Sequence, residues 1–339
     1  MTTAAILPFI HAQGSWGEIG RQVGQMFQPA IERHLQAWTR HIVAETGCAR
    51  DALEAAAAPY ARPIQDHTPF LWEELDGMSR GSGIPISRLL ILQARAEILR
   101  ANKLLASECT TFAITGQRTG GVTLIGQNVD LVPFVAEYGV IIRQMPKGFP
   151  AALLCTSVGL LGHIGINEAG VGVITNSVDE SAGWDDGLPS YLLSRLALRE
   201  ETAEAARAAI LGPPSAASRN LLVADDRGTL LDVEAVRTEK RRERLEELLR
   251  NAKTPVTVAN VQELCRDHEN APHSLCAHPF PGRNLETIAS VIGDLTNREL
   301  HATKGAPCRA PYATYTLATC RTGALSVTVR DDFQPAFSE

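Results

Sequence analysis

The sequence predicts an α+β fold, with antiparallel sheets layered with helices behind a helical first third. Three observations carry this expectation. The first hundred residues show helical periodicity and a helix cap. At Cys109 the chain turns β-branched and aromatic. From there strands, two helices, strands, helices and strands follow in turn. That order suits layered antiparallel sheets better than a doubly wound parallel sheet, in which strands and helices alternate one by one.

The apolar run Ala4 to Ile10 reads as a strand; it is short and lacks the basic leader of a signal peptide. Ser15-Trp16-Gly17-Glu18 has capping-box spacing, with Ser at the cap and Glu three residues later. Ile19, Val23, Met26, Phe27 and Ile31 then recur at helical period. Gly17, Gly20 and Gly24 share one face of that helix and predict close packing against another. Gly14-x-x-Gly17-x-x-Gly20 does not have the spacing of a dinucleotide-binding loop. Further helices are expected over Asp51 to Tyr60, over Pro69 to Gly77, and from Pro85 through Ile98.

Residues 110–116 and 122–128 flank the turn Gln117 to Gly121, a hairpin signal. Val140 to Gln144, Ala151 to Ser157 and Val171 to Asn176 read as strands, with Asn167 and Gly170 shaping a hairpin. Leu192 to Leu198 and Thr202 to Leu211 read as helices. Asn220 to Ala224 and Thr229 to Glu234 flank the turn Asp225-Asp226-Arg227-Gly228. Helices return over Glu239 to Arg250 and Val258 to His268. A last strand pair, Ile288 to Leu295 and Glu299 to Thr303, is joined by Thr296-Asn297-Arg298. No internal repeat or low-complexity linker interrupts the chain.

Composition narrows the function classes. Of 339 residues, 45% are hydrophobic and 21% charged, which is globular and large enough for a sizeable core. A net charge of −6 argues against a general nucleic-acid binder, which needs a basic surface. The basic cluster Lys240 to Arg244 runs into Leu245, Glu246, Glu247 and Leu248 and reads as the solvated face of a helix. No apolar run approaches the roughly 20 residues that span a bilayer. The cysteines, Cys48, Cys109, Cys155, Cys265, Cys276, Cys308 and Cys320, are odd in number and form no Cys-x-x-Cys pair. A disulfide framework and a zinc knuckle are both disfavoured. His268, His273 and His278 are spaced five and five, which is not one helical face, and Pro272 and Pro279 break the segment. No metal and no cofactor is expected. The default is a soluble, reduced, cytoplasmic protein acting on a small molecule, without membrane or nucleic-acid partners and compatible with a homo-oligomer.

Cys109 opens a strand inside the polar stretch Ser107-Glu108-Cys109-Thr110-Thr111, so it is not the middle of an apolar core strand. Residues 109–130, CTTFAITGQRTGGVTLIGQNVD, resemble the start of the mature β-subunit in the penicillin acyltransferase family of N-terminal-nucleophile (Ntn) enzymes. The likeness extends to GSWGEIGRQVGQ, ELDGMSRGSGIPISRLLILQARAEI, GINEAGVGVITNSV, GLPSYLLSRLALRE and SVIGDLTNREL, most of the chain. The Cys-Thr-Thr block with Gly126-Gln127-Asn128 and Asp130 is its most specific part; the Asn-Glu-x-Gly pattern is shared with the more remote bile-salt hydrolases and penicillin V acylases.

The resemblance implies a four-layer αββα fold with the nucleophile at the end of a sheet strand. It implies self-cleavage between Glu108 and Cys109, dividing the chain into a helical α-subunit, 1–108, and a β-subunit, 109–339. The free α-amine of Cys109, with an ordinary pKa of roughly 7.7–8.0, would then serve as base for its own thiol. The implied activity is hydrolysis of a linear amide through a Cys109 thioester, with acyl transfer to an amine or a catalytically silent member of the fold as alternatives. Asp130 would orient the amine and Asn176 would donate to the oxyanion. Thr110, Thr111 and Asn128 would support the precursor or substrate site. Two departures stand out. The family's His-Thr-Asn-His segment has no counterpart after Glu234, where Ala235-Val236-Arg237-Thr238-Glu239 follows. Gly305-Ala306-Pro307 stands where the family's arginine lies between Gly and Pro, with Arg309 or Arg143 as candidate substitutes. A papain-like pairing of Cys109 with His163, His273 or His278 lacks any local signature.

Overall fold

The computed structural model describes residues 6–101, 109–177, 187–216, 219–233, 239–271, 274–281, 284–317 and 327–329. Strand β1 (Phe9–Gly14) leads into α1 (Trp16–Thr46). The expected capping box forms: the Glu18 amide donates to Ser15 Oγ at 3.3 Å and the Ser15 amide to Glu18 Oε2 at 2.8 Å. The helix passes through Pro29 and ends on Gly47, in the left-handed region at φ 69°. It outlasts the apolar stripe ending at Ile31 because Leu35, Trp38 and Ile42 continue it, all buried.

The layer is completed by α2 (Ala52–Ala57), α3 (Ala61–His67), α4 (Pro69–Ser82), α5 (Ile86–Gln93) and α6 (Arg95–Ala101). The helix expected from Pro85 through Ile98 is two, parted at Ala94. Helices α1 and α4 meet through glycine. A Cβ on Gly20 would overlap the Glu74 carbonyl, one on Gly24 the Met78 carbonyl, and one on Gly77 the Gly17 carbonyl. Backbone therefore lies against backbone, as the shared glycine face predicts. Glu74, on α4, is buried and paired with Arg195 at 2.8 Å, and accepts from Gln144 Nε2 at 2.7 Å.

Two sheets follow, built from β2 (Thr110–Ile114), β3 (Leu124–Leu131), β4 (Gly139–Pro146), β5 (Ala152–Ser157), β6 (Ile164–Asn167), β7 (Gly172–Ser177), β8 (Arg219–Ala224), β9 (Leu230–Val233), β10 (Glu286–Asp294), β11 (Glu299–Ala302), β12 (Ala313–Thr316) and β13 (Val327–Val329). The intervening helices are α7 (Leu193–Ala197), α8 (Ala203–Leu211), α9 (Glu239–Asn251) and α10 (Val258–Leu264). The first sheet has the order β1-β4-β5-β6-β7-β8-β9 and the second β13-β12-β11-β10-β3-β2. Neighbours are antiparallel except β1 and β4, which run parallel. That exception corrects a purely antiparallel expectation. The whole helical layer lies between those two strands, and a parallel pair needs such a long crossover. The N-terminal strand also sits later than Ala4 to Ile10, at Phe9–Gly14.

One large core joins α1 to α6 to both faces of the first sheet and the inner face of the second. A smaller core, with Phe112, Ile114, Leu124, Leu245, Val261 and Cys265, lies between the second sheet and α9 and α10. The order is helices, sheet, sheet, helices, so the expected four-layer α+β architecture is present. Strands β6 and β12, four residues each, escaped the sequence pattern. Every residue of β6 is buried, so no alternation marks it. Arg244, placed on a solvated face by its sequence neighbours, instead bonds Asp267 at 2.6 Å.

Candidate active site

Cys109 is the residue before β2, the edge strand of the second sheet, and is buried. Across the ladder Thr110 faces Asn128 and Thr111 faces Gln127. Because side chains alternate along a strand, the expected site residues divide between two faces.

Thr111 and Gln127 point into the space between the sheets. Gln127 Nε2 donates to the Thr175 carbonyl and its Oε1 accepts from the Thr175 amide at 3.0 Å, a two-bond bridge to β7. Thr111 Oγ1 donates to Asn176 Oδ1 at 3.2 Å. Asn220 Nδ2 donates to the same oxygen at 3.0 Å, Asn220 being the register partner of Asn176 on β8. Cys109, one residue before β2 and two before Thr111, falls on this side when the strand alternation is carried back to it. Val129 and Leu131 continue the same face of β3 and line an apolar cavity with Leu7 and Ile288, into which Arg95 and His163 also reach.

Asn128 and Asp130 point the other way, towards the segment after α10. Asn128 Nδ2 donates to the carbonyls of Cys265, at 2.9 Å, and Leu275, at 2.8 Å. Thr287 Oγ1 donates to Asp130 Oδ1 at 2.6 Å and accepts from the Ala277 amide at 2.9 Å. Both side chains are almost fully buried. The structure thus brings Thr111 and Asn176 together and sets Thr110, Asn128 and Asp130 on the opposite face. Glu108, and the stretch after Glu234 where the His-Thr-Asn-His segment is missing, lie outside the described residues.

A buried polar cluster backs the first sheet. Arg95 and Arg219 both lie over the Tyr191 ring, 4.2 and 3.9 Å from its centroid. Glu97 Oε1 accepts from the amide and hydroxyl of Ser190, at 2.9 and 2.8 Å. His163 packs on Tyr191, and burial together with Arg95 and Arg219 holds its pKa well below the ordinary imidazole value. Of the two arginines considered as substitutes for the family's own, Arg143 donates to the Leu317 carbonyl at 2.9 Å and Arg309 is exposed.

Two groupings are not legible in the sequence. Asn220 reads there only as a strand start; its side chain meets Asn176 through strand pairing, which single-sequence periodicity does not reveal. His268 and His278, disfavoured as metal ligands by their spacing, do converge, and Cys276 and Cys308 join them. His273 lies outside the described residues. Local spacing misleads here because Cys308 arrives from beyond β11, two strands later.

Residues 117–243 match the family model described as acyl-coenzyme A:6-aminopenicillanic acid acyl-transferase. This stretch holds Asn128, Asp130, Asn176 and Asn220 and begins beyond Cys109. The acyl-coenzyme A:6-aminopenicillanic-acid-acyltransferase 40 kDa form of Emericella nidulans is 27% identical over 189 residues, covering 56% of this chain and 52% of that protein. The match therefore spans about half the length of that relative. Among solved structures, penicillin V acylase from Agrobacterium tumefaciens aligns with a TM-score of 0.43 at 11% identity, covering 61% of this chain and 86% of that one. The Caenorhabditis elegans N-acylethanolamine-hydrolyzing acid amidase ortholog aligns with a TM-score of 0.43 at 15% identity, over 55% and 93%. A mutant of conjugated bile acid hydrolase from Clostridium perfringens aligns with a TM-score of 0.40 at 10% identity, over 68% and 99%. The resemblance read from the sequence stands: over residues 117–243 this chain is similar to the acyl-coenzyme A:6-aminopenicillanic acid acyl-transferase family.

Proposed function

We propose that the chain is a self-processing cysteine Ntn amidase that cleaves linear amides through a thioester at Cys109. The observation that carries this reading is the position of Cys109. It directly precedes the edge strand that carries Thr111, whose hydroxyl joins Asn176 and Asn220 in one hydrogen-bonded set.

In the first reaction the Cys109 sulfur attacks the Glu108 carbonyl carbon. The peptide C–N bond breaks, the acyl group moves to sulfur, and the nitrogen becomes the α-amine of Cys109. Water then hydrolyses the thioester, leaving a carboxylate on Glu108 and a thiol on Cys109. In the second reaction the new amine takes the thiol proton, and sulfur attacks the substrate carbonyl. The amine passes that proton to the leaving nitrogen, and water releases the acid. Asn176 is assigned to the oxyanion; such a donor is worth about 3 kcal/mol in the transition state. Its Oδ1 accepts from both Thr111 and Asn220, which sets the orientation of its amide. Asn220 stands beside it as a second amide in a chain that lacks the His-Thr-Asn-His asparagine. Asp130, its carboxylate oxygen held by Thr287 on the face opposite Thr111, is assigned by the family resemblance to orienting the α-amine, a main-chain nitrogen that belongs to neither face. The helical 1–108 fragment would stay docked after cleavage, because its helices share one continuous core with both sheets.

Intact-mass analysis of the purified chain tests this. Two co-purifying fragments meeting between Glu108 and Cys109 are expected, and Cys109→Ala should remain a single chain without amidase activity. Processing that persists in Cys109→Ala sinks the assignment; an intact wild-type chain with an unreactive Cys109 establishes the catalytically silent alternative. A panel of N-acyl amides, run with and without an added amine, separates hydrolysis from acyl transfer by the product formed.

A further inference from the structure

We infer that His268, Cys276, His278 and Cys308 form a closed, four-coordinate zinc site that fixes the segment between α10 and β10. The four ligand atoms lie within 4.8 Å of one another. The separations are 3.1 Å between the two imidazole Nε2 atoms, 3.6 Å between the sulfurs, and 3.8 and 3.4 Å from His278 Nε2 to Cys276 Sγ and Cys308 Sγ. Zinc–nitrogen and zinc–sulfur bonds of about 2.0 and 2.3 Å, set tetrahedrally, place the ligand atoms about 3.3–3.8 Å apart. The donor set is the soft-thiolate and imidazole pair that selects zinc. Binding would release the two thiol protons to solvent and leave a site of zero net charge.

The surroundings support a structural ion. From Cys265 to Leu285 the described chain has no helix and no extended strand, and irregular segments of such length in a compact domain need anchoring. Apolar packing anchors it through Cys265 and Leu275, which join the smaller core, whereas Cys276 and Cys308, both buried, share only a small cluster with Ala306. Among the described residues His278 Nδ1 is buried without a hydrogen-bond partner, and the polar contacts of that ring lie on its Nε2 side. A disulfide accounts less well for the geometry. It would join the sulfurs at about 2.05 Å, but it gives no reason for two imidazole nitrogens to face each other beside them. With four protein ligands no position remains open for water, so the ion is structural and not catalytic.

The site also touches the proposed chemistry, although it does not depend on it. Ala277, between two ligands, donates to Thr287, which donates to Asp130, and Leu275 accepts from Asn128. A metal that fixes residues 275–278 therefore positions Asn128 and Asp130.

Metal analysis of the full chain, purified without chelator, is the test. Near-stoichiometric zinc is expected. Exchange for cobalt should give the thiolate charge-transfer and visible bands of a tetrahedral centre. Cys308→Ser and His278→Gln should lose the metal, and Cys48→Ser should retain it. Cys109→Ala should keep its zinc even where processing is lost, which separates this site from the nucleophile. Removing the ion should lower the thermal midpoint and raise amide exchange over residues 265–285. A metal-free wild-type protein that also fails to bind added zinc would overturn the inference. So would a Cys276–Cys308 disulfide in a non-reducing peptide map, or a cobalt spectrum unchanged in Cys308→Ser.

Discussion

The helical layer and the segment from Cys265 to Leu285 cover opposite outer faces of the sandwich, and they are attached by different means. Helices α1 and α4 rest on a continuous apolar core and touch each other backbone to backbone through glycines. The segment after α10 is held by point anchors: two bonds from Asn128, the Thr287 relay to Asp130, and the thiol and imidazole cluster. Even their histidines differ. His34 is satisfied at both ring nitrogens, by the Val158 carbonyl at 2.7 Å and by Trp38 Nε1 at 2.9 Å. His278 turns one nitrogen to the thiols and, among the described residues, the other has no hydrogen-bond partner. A face covered by helices is stabilised by area, which tolerates the loss of any one contact. A face covered by irregular chain depends on a few named atoms.

The largest effect expected from this contrast is acid loss of stability in the helical layer. Burial pushes the His34 pKa down from 6.5 to about 3. In the unfolded chain His34 takes up a proton as pH falls through about 6.5, and the folded protein refuses it until about pH 3. Stability is therefore full above that window, falls as pH drops through it, and levels off below for this group. Every tenfold drop in proton affinity on folding corresponds to about 1.4 kcal/mol, so the loss amounts to a few kcal/mol. Urea unfolding at a series of pH values, compared between wild type and His34→Gln, should show a shallower acid slope in the variant. Equal slopes would mean that the helical layer is not the acid-sensitive region.

The next effect is steric. Gly20→Ala places a methyl group on the Glu74 carbonyl, a backbone atom that cannot rotate away. The helices must part, at a cost of about 1–3 kcal/mol. Because Gly17 has no backbone atom so close, Gly17→Ala should cost less. Chemical denaturation of the two variants measures the difference; equal losses would remove the backbone-contact explanation.

The same contrast decides what the sequence could tell. The capping box at Ser15, the glycine face of α1 and the hairpin at Gln117 to Gly121 are local patterns, written within a few residues, and each is legible. The four-layer order followed from the succession of elements together with the family resemblance. The site was only partly legible. Cys109, Asp130 and Asn176 could be named by resemblance, but nothing local shows that Asn128 and Asp130 face away from Asn176 across the second sheet. Asn220 and the Cys276–Cys308 grouping need strand pairing and long-range closure. Their members lie tens of residues apart, where periodicity carries no information. The parallel seat of β1 was hidden for the same reason, since its partner comes after the whole helical layer.

The smallest of the three effects is also the most local. Asn128→Leu removes the donor to two buried carbonyls, those of Cys265 and Leu275, while keeping an apolar side chain of similar size. Leaving buried acceptors unsatisfied costs about 1–3 kcal/mol, and some of that is recovered where the freed carbonyls reach water. The global unfolding midpoint should therefore fall only modestly. Amide exchange should instead rise selectively over residues 265–285, because the segment loses two of its few anchors and has no broad apolar face to hold it. Helices α1 and α4, on the far side of both sheets, should exchange as in the wild type. Hydrogen exchange read by mass spectrometry resolves the two regions in one experiment. If exchange rises equally in both, the segment is coupled to the main core as tightly as the helices are, and attachment by point anchors is the wrong description of it.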